Sequence, residues 1–128
     1  MTHPNGANAI TAVSYVAEDP AELVERFTGI YGKDAITVGA GYLKAQTDRG
    51  VFEVLSPICA EHRFAGVDVP VTHNQLPSGV AIRVSTGSMA QAKSHLDAQR
   101  VNYVETTDGG LRIPAYYAGN TIIEIYPA

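Results

Sequence analysis

Glu53 and Glu124 are the residues of this chain best placed to do chemistry. Each lies within a short apolar segment, VFEVL or TIIEI, near the end of one half of the chain. A carboxylate with apolar neighbours is costly to bury unless it is ion-paired, bound to a ligand or metal, or protonated. Three interpretations remain open. Each glutamate is a general base or ligand anchor, one half of an ion pair with Arg83, Arg112 or Lys44, or a residue at a strand end that reaches solvent.

The elements that must position these glutamates occur twice. Residues 12–57 and 80–127 each read as a strand, a capped helix and three further strands. Asp19 followed by proline, and Ser88 followed three residues later by glutamine, are typical helix starts. A duplicated unit of this kind predicts two half-sheets that curl around a shared cup, where the equivalent carboxylates face one another.

We read residues 1–128 as a single domain. Module one spans about 10–57, module two spans about 79–127, and a connection over 58–78 joins them. A connection of this length is a lid, an interface arm or a crossover. It carries His62 and His73, either of which could swing over the mouth of the cup and bind substrate.

Strand alternation predicts the floor of the cup. Ser14 lies on it with its alternate neighbours in the first module, and Ile82 lies on it in the second, which turns Arg83 to the other face. A mostly apolar floor favours an aromatic or otherwise flat ligand. Tyr116 and Tyr117 are adjacent in a predicted strand over 111–117, so either one of them enters the cup or both serve only packing.

Composition excludes several classes of partner. The chain has 9 basic and 13 acidic residues, a net charge of −4, which gives no electrostatic footprint for nucleic acid or an anionic membrane.

No apolar stretch approaches the length of a membrane span, and no signal peptide is recognisable. The lone Cys59 suits a reducing compartment, so we expect a cytoplasmic protein. The glycines fall at strand turns and form no phosphate loop, so no nucleotide cofactor is expected.

The duplicated strand, helix and three-strand unit, closing on GNTIIEIYP, resembles the vicinal oxygen chelate superfamily, and within it the glyoxalase-like and bleomycin-resistance-like domains. The resemblance covers about Ile10 to Pro127. It implies an α+β fold, in which two βαβββ modules form a curled mixed sheet around a central cup with the helices outside. It also implies a homodimer that binds a small-molecule ligand.

In metal-using members of that superfamily, the first and last strands of both modules supply four ligands. The resemblance carries the last-strand positions onto Glu53 and Glu124 and the first-strand positions onto Ala12 and Val80. Two carboxylates suit magnesium or manganese with bound waters, but they lack the nitrogen ligands that zinc and nickel prefer. The expectation is therefore no metal, or a weakly bound Mn, Mg, Zn or Ni ion.

Two functions follow from the resemblance. The first is a glyoxalase-like enzyme, in which Glu124 abstracts a proton beside a carbonyl in an isomerase or lyase step and Glu53 assists. The alternative is a metal-free binding or resistance protein that sequesters an aromatic small molecule without turnover. The two retained glutamates favour the enzyme, whereas the two lost first-strand ligands favour the binding protein.

Overall fold

The computed structural model describes residues 7–70 and 78–128. Within these ranges, eight strands form one curled sheet. The strands are β1 (Ala7–Val16), β2 (Ile36–Gly39), β3 (Tyr42–Thr47), β4 (Gly50–Leu55), β5 (Ser78–Thr86), β6 (Val104–Glu105), β7 (Leu111–Ile113) and β8 (Ile122–Pro127).

The strand order confirms the duplicated α+β architecture. Across the sheet the strands run β2-β3-β4-β1-β5-β8-β7-β6. The first strands of the two halves, β1 and β5, pair antiparallel at the centre. Each also pairs in parallel with the last strand of its own half, β1 with β4 and β5 with β8. The last strands, which carry the two glutamates, therefore occupy equivalent places on either side of the central pair.

Two helices begin where the capping signals predict. Asp19 accepts a hydrogen bond from the N–H of Ala21 at 3.1 Å and starts a 3-10 turn that leads into α1 (Val24–Tyr31). Ser88 accepts a hydrogen bond from a backbone N–H of the first turn and starts the helix Met89–Ala98. Among the described residues, no helix has the length and hydropathy needed to cross a membrane.

These two helices cover one face of the sheet, as the resemblance implied. Val54 packs beneath α1, and Ile125 packs beneath the helix at 89–98. Since neighbouring side chains of a strand point to opposite faces, Glu53 and Glu124 are turned to the other face. We call that other face of the sheet the cup face.

A helix that the sequence analysis did not predict lies on the cup face. This helix, α2 (Pro57–Arg63), occupies the start of the connection; the helix at 89–98 is α3. Ser56 caps α2 by accepting a hydrogen bond from the N–H of Cys59 at 3.2 Å. Ala60 and Phe64 are completely buried in the apolar core of the cup face. The first part of the connection is therefore packed inside the cup.

Candidate functional site

Glu124 is buried, with 1% of its surface exposed, and it accepts hydrogen bonds from three arginines. Arg63 binds it through both terminal nitrogens, Nη1 to Oε2 at 2.9 Å and Nη2 to Oε1 at 2.7 Å. Arg83 donates from Nε and Nη2 to Oε1 at 3.3 and 3.2 Å. Arg112 donates from Nε to Oε2 at 3.0 Å. Of the interpretations that the sequence left open, these contacts support the ion pair for Glu124, with Arg83 and Arg112 among its partners.

Glu53, the equivalent residue of the first half, is also buried. The hydroxyl of Ser14 donates a hydrogen bond to Glu53 Oε1 at 2.6 Å, and Arg63 Nε lies 3.4 Å from the same oxygen. Lys44 is the strand partner of Glu53, but its ammonium lies 5.5 Å from the centre of the Tyr42 ring. Arg63 therefore contacts both glutamates at once.

Helix α2 is what delivers Arg63 to the two carboxylates. The serine cap and the proline at the first helical position start the helix, and Phe64 anchors its end in the core. The Arg63 guanidinium also lies 4.6 Å from the centre of the Phe64 ring. Sequence reasoning missed Arg63 because it treated the connection as a loop. The Ser56-Pro57 pair was the signal that could have revealed the helix.

The arginines keep Glu124 ionised. Burial alone would raise the pKa of Glu124, but hydrogen bonds and charge from Arg63, together with Arg112 and Arg83, outweigh it and hold the pKa below its ordinary value. Burial likewise works to lower the pKa of Arg63, and its carboxylate partners raise it overall. Glu124 is consequently a weak proton acceptor, which favours the ion-pair interpretation over the general-base interpretation.

The strand pairing of β5 places a different residue on the floor of the cup from the one that the sequence predicted. Ser14 lies beside Glu53, as predicted. In the second half, however, Arg83 rather than Ile82 lies beside Glu124, so the prediction that Arg83 points away from the cup was wrong. Ile82 pairs with a residue of the core beneath α3 and therefore lies on the helix-covered face. From Ala12 to Ser14 the pairing of β1 with β5 is regular, and the counterpart of Ser14 in the second half is Arg83, one residue beyond the one predicted.

The residues at this site do not fit the divalent metal that the resemblance implies. Ser14 and Arg83, not Ala12 and Val80, are the first-strand residues beside the glutamates. A guanidinium has no lone pair to offer a metal, so Arg83 cannot serve as a ligand. In residues 7–70 and 78–128, no three His, Cys, Asp or Glu side chains are grouped so that they could hold a metal ion.

A cavity of about 660 Å³ lies over the arginines. His62, one of the two histidines that the sequence analysis considered for the mouth of the cup, lines this cavity. Glu105 and Asp108 also line it, but Glu105 is paired with Lys93, and Asp108 accepts a hydrogen bond from the Tyr126 hydroxyl at 2.7 Å. The cationic side chains of the wall are Lys44, Arg63, Arg83 and Arg112. The groups that meet a ligand here are therefore mainly positive.

Tyr116 and Tyr117 do not line this cavity. Tyr116 and Tyr117 belong to a 3-10 turn that follows β7, and they are 71% and 40% exposed. The expectation that alternation sends one of them inward was wrong, because this turn replaces the end of the predicted strand. Tyr116 lines a separate cavity of about 630 Å³, and the Tyr117 hydroxyl accepts a hydrogen bond from the N–H of Asn102 at 3.1 Å. His73 falls outside the described residues.

Solved structures share this architecture. Methylmalonyl-CoA epimerase from Mycobacterium tuberculosis matches 100% of this chain and 93% of its own length, at 15% identity and a TM-score of 0.63. Homoprotocatechuate 2,3-dioxygenase from Arthrobacter globiformis matches 98% of this chain and 38% of its own, at 9% identity and a TM-score of 0.65. No protein-family model and no curated protein matches the sequence significantly. The likeness in structure shows that the chain has the fold of the vicinal oxygen chelate superfamily, as the sequence resemblance predicted.

Proposed function

We propose that this protein binds a small organic molecule in the arginine-lined cup and does so without a metal ion. The observation that carries the proposal is the pairing of both cup glutamates with arginine. The guanidinium of Arg63 lies 2.7 Å from Glu124 and 3.4 Å from Glu53. This cation supplies the positive charge that a divalent metal would otherwise bring to two facing carboxylates.

The cavity suits a small organic ligand. Its volume of about 660 Å³ lies within the range of roughly 300–1,000 Å³ that is usual for such sites. Guanidinium groups bind aromatic faces as well as anions, so the wall also accepts the flat aromatic ligand expected from the sequence. The proposal therefore takes up the binding or resistance alternative, in which the ligand is held without turnover.

A second candidate is an enzyme that abstracts a proton beside a carbonyl. His62 and the arginines line the same cavity, and such a reaction needs a base together with donors that stabilise an enolate oxygen. In this version His62 is the base. Glu124, the base predicted from the sequence, is held ionised by three arginines and is the weaker choice.

Elemental analysis of protein purified without chelator tests the absence of a metal. We expect far less than one metal ion per chain, and no rise of the thermal midpoint with added manganese, magnesium, zinc or nickel. One ion per chain, lost in Glu124→Gln, would overturn the proposal. The same ions added to an Arg63→Met variant test whether the guanidinium occupies the place of a cation.

Ligand binding is tested by protein-observed NMR with a panel of neutral and charged aromatic molecules. Saturable shifts at cavity residues such as Ala65 and Thr106, without shifts at Ile30 of α1, are the expected result. No saturable shift at the cavity would refute the binding function. Loss of turnover in His62→Gln, if the panel contains a substrate, would select the enzyme instead.

A homodimer in the cytoplasm, as expected from the sequence and the resemblance, completes the proposal. Light scattering coupled to size-exclusion chromatography measures the oligomeric state. A mass of one chain at all concentrations would remove the dimer without affecting the binding site, because every contact described for the cup lies within one chain.

A further inference from the structure

We propose that the ligand of the cup is an organic carboxylate anchored by Arg83 and Arg112. This inference rests on the proposed function and names the chemical class of its ligand. The carboxylate sits in the 660 Å³ cavity, which both arginines line.

Each of these arginines leaves one guanidinium nitrogen without an acceptor in the described part of the chain. Arg83 uses Nε and Nη2 for Glu124, and Arg112 uses Nε for Glu124 and Nη1 for the carbonyl oxygen of Ala65. Within the described part of the chain, Arg83 Nη1 and Arg112 Nη2 donate to no acceptor. Since every buried side-chain nitrogen and oxygen there has a partner, these two nitrogens are solvent-accessible, and both arginines line the cavity.

The charged side chains around those donors leave a local excess of positive charge. Arg63, Arg83, Arg112 and Lys44 face Glu53, Glu124 and Asp108, and Glu105 is paired with Lys93, so one positive charge is left without a matching carboxylate. The whole chain carries a net charge of −4, so this local excess of positive charge is not a general property of the surface. A guanidinium fork matches the two oxygens of a carboxylate in geometry and in charge.

Both donors are held in place before a ligand arrives. The Arg83 guanidinium lies 3.8 Å from the centre of the Tyr126 ring, and the Tyr126 hydroxyl is fixed by Asp108. Arg112 is only 7% exposed and is held between Glu124 and the end of α2. Preorganised donors lose little conformational freedom on binding, which raises affinity for an anion of the right size.

Propionate and its neutral isostere propionamide test the inference, because both are small enough to enter the cavity whatever the shape of the natural ligand. The Nε–Hε signals of the arginines are followed by NMR during each titration. We expect propionate to shift the Arg83 and Arg112 signals saturably, and propionamide to leave them unchanged. Equal shifts with both probes, or no saturable shift with propionate, would overturn the proposal.

Variants locate the anchor. Arg83→Gln is expected to weaken propionate binding by about tenfold, because it removes one of the two charged donors. Lys44→Gln, which leaves the contacts to Glu124 intact, should weaken it by a smaller factor. Arg26→Gln is the matched control, since Arg26 is an exposed arginine on α1 outside the cavity. Full propionate affinity in Arg83→Gln would refute the assignment of the anchor.

Two further outcomes show whether the carboxylate inference fails alone or together with the proposed binding function. Tighter binding of inorganic phosphate than of propionate would overturn the carboxylate class in favour of a tetrahedral anion. Neutral aromatic molecules that bind in the cavity while propionate does not would refute this inference and leave the proposed binding function standing. If neither kind of probe binds there, both proposals fail.

Discussion

Replacing Arg63 by methionine removes the one side chain that contacts both buried glutamates. Methionine retains an apolar stem of similar length, so packing beside Phe64 is largely kept. Glu53 is then left with Ser14 alone among the contacts described above. Glu124 keeps Arg83 and Arg112. The perturbation is therefore electrostatic, and its size depends on how much the remaining arginines compensate.

The expected loss of stability in Arg63→Met can be worked out from these contacts. Removing one partner of a buried ion pair typically costs about 3–5 kcal/mol. Two features reduce that value here, because Glu124 retains two arginines and the Arg63 side chain is 24% exposed. We therefore expect the free energy of unfolding to fall by about 2–3 kcal/mol.

Urea unfolding at neutral pH measures the loss. Arg26→Met on α1 is the matched control, since an exposed arginine without such partners should change the free energy of unfolding by less than about 0.5 kcal/mol. The double variant of Arg63→Met with Glu124→Gln closes a mutant cycle. We expect the two changes to be coupled by about 1–2 kcal/mol, because they share one set of hydrogen bonds.

Acid unfolding gives a second readout of the same variant. The lowered pKa of Glu124 contributes stability that is complete above its ordinary pKa of 4.5 and is lost as the pH falls through the lowered folded-state pKa. Without Arg63 that folded-state pKa moves back up, so acid unfolding begins at a higher pH. A loss of stability no larger than that of Arg26→Met, with an unchanged acid midpoint, would refute the reasoning.

Three other substitutions test the surroundings of the site. Glu124→Gln should lower the free energy of unfolding by about 3–5 kcal/mol, because three arginines then face a neutral amide; a thermal midpoint at or above wild type would contradict a structural role. Ser14→Ala should cost about 1–3 kcal/mol in urea unfolding, since a buried carboxylate loses its hydroxyl donor at 2.6 Å; an unchanged midpoint would show that water replaces the hydroxyl. A Cβ at Gly110 would lie 2.5 Å from the Tyr126 ring, so Gly110→Ala should cost about 1–3 kcal/mol and weaken propionate binding through Arg83. Gly87→Ala, where the added atom meets nothing within 4 Å, is its control.

The parts of the fold that depend on local signals were predictable. Asp19 and Ser88 mark the helix starts because capping uses residues that are adjacent in sequence. The duplication gave the two halves, and alternation within β4 and β8 gave the shared face of Glu53 and Glu124. The ion pairs of Glu124 with Arg83 and Arg112 were among the open interpretations.

The parts of the fold that depend on contacts between residues distant in sequence were not predictable in this way. Arg83 was assigned to the wrong face, because Ile82 was treated as the counterpart of Ser14, whereas the pairing across the sheet makes Arg83 that counterpart. Arg63 was missed because its role depends on α2 folding into the cup, 61 residues away from Glu124 in sequence. The exposed turn at Tyr116 and Tyr117 ended a strand that the β propensity of tyrosine had extended.

Arg83 and Arg112, whose counterparts in the first half are not arginines, give a duplicated fold a direction. Glu53 is held by one hydroxyl and one guanidinium contact, whereas Glu124 is held by three guanidinium groups. Two equivalent halves would offer a ligand two interchangeable ends. Here Arg83 and Arg112 lie beside Glu124 where the first half has Ser14 and Lys44 beside Glu53, so we expect a molecule with one acidic group to enter in one orientation.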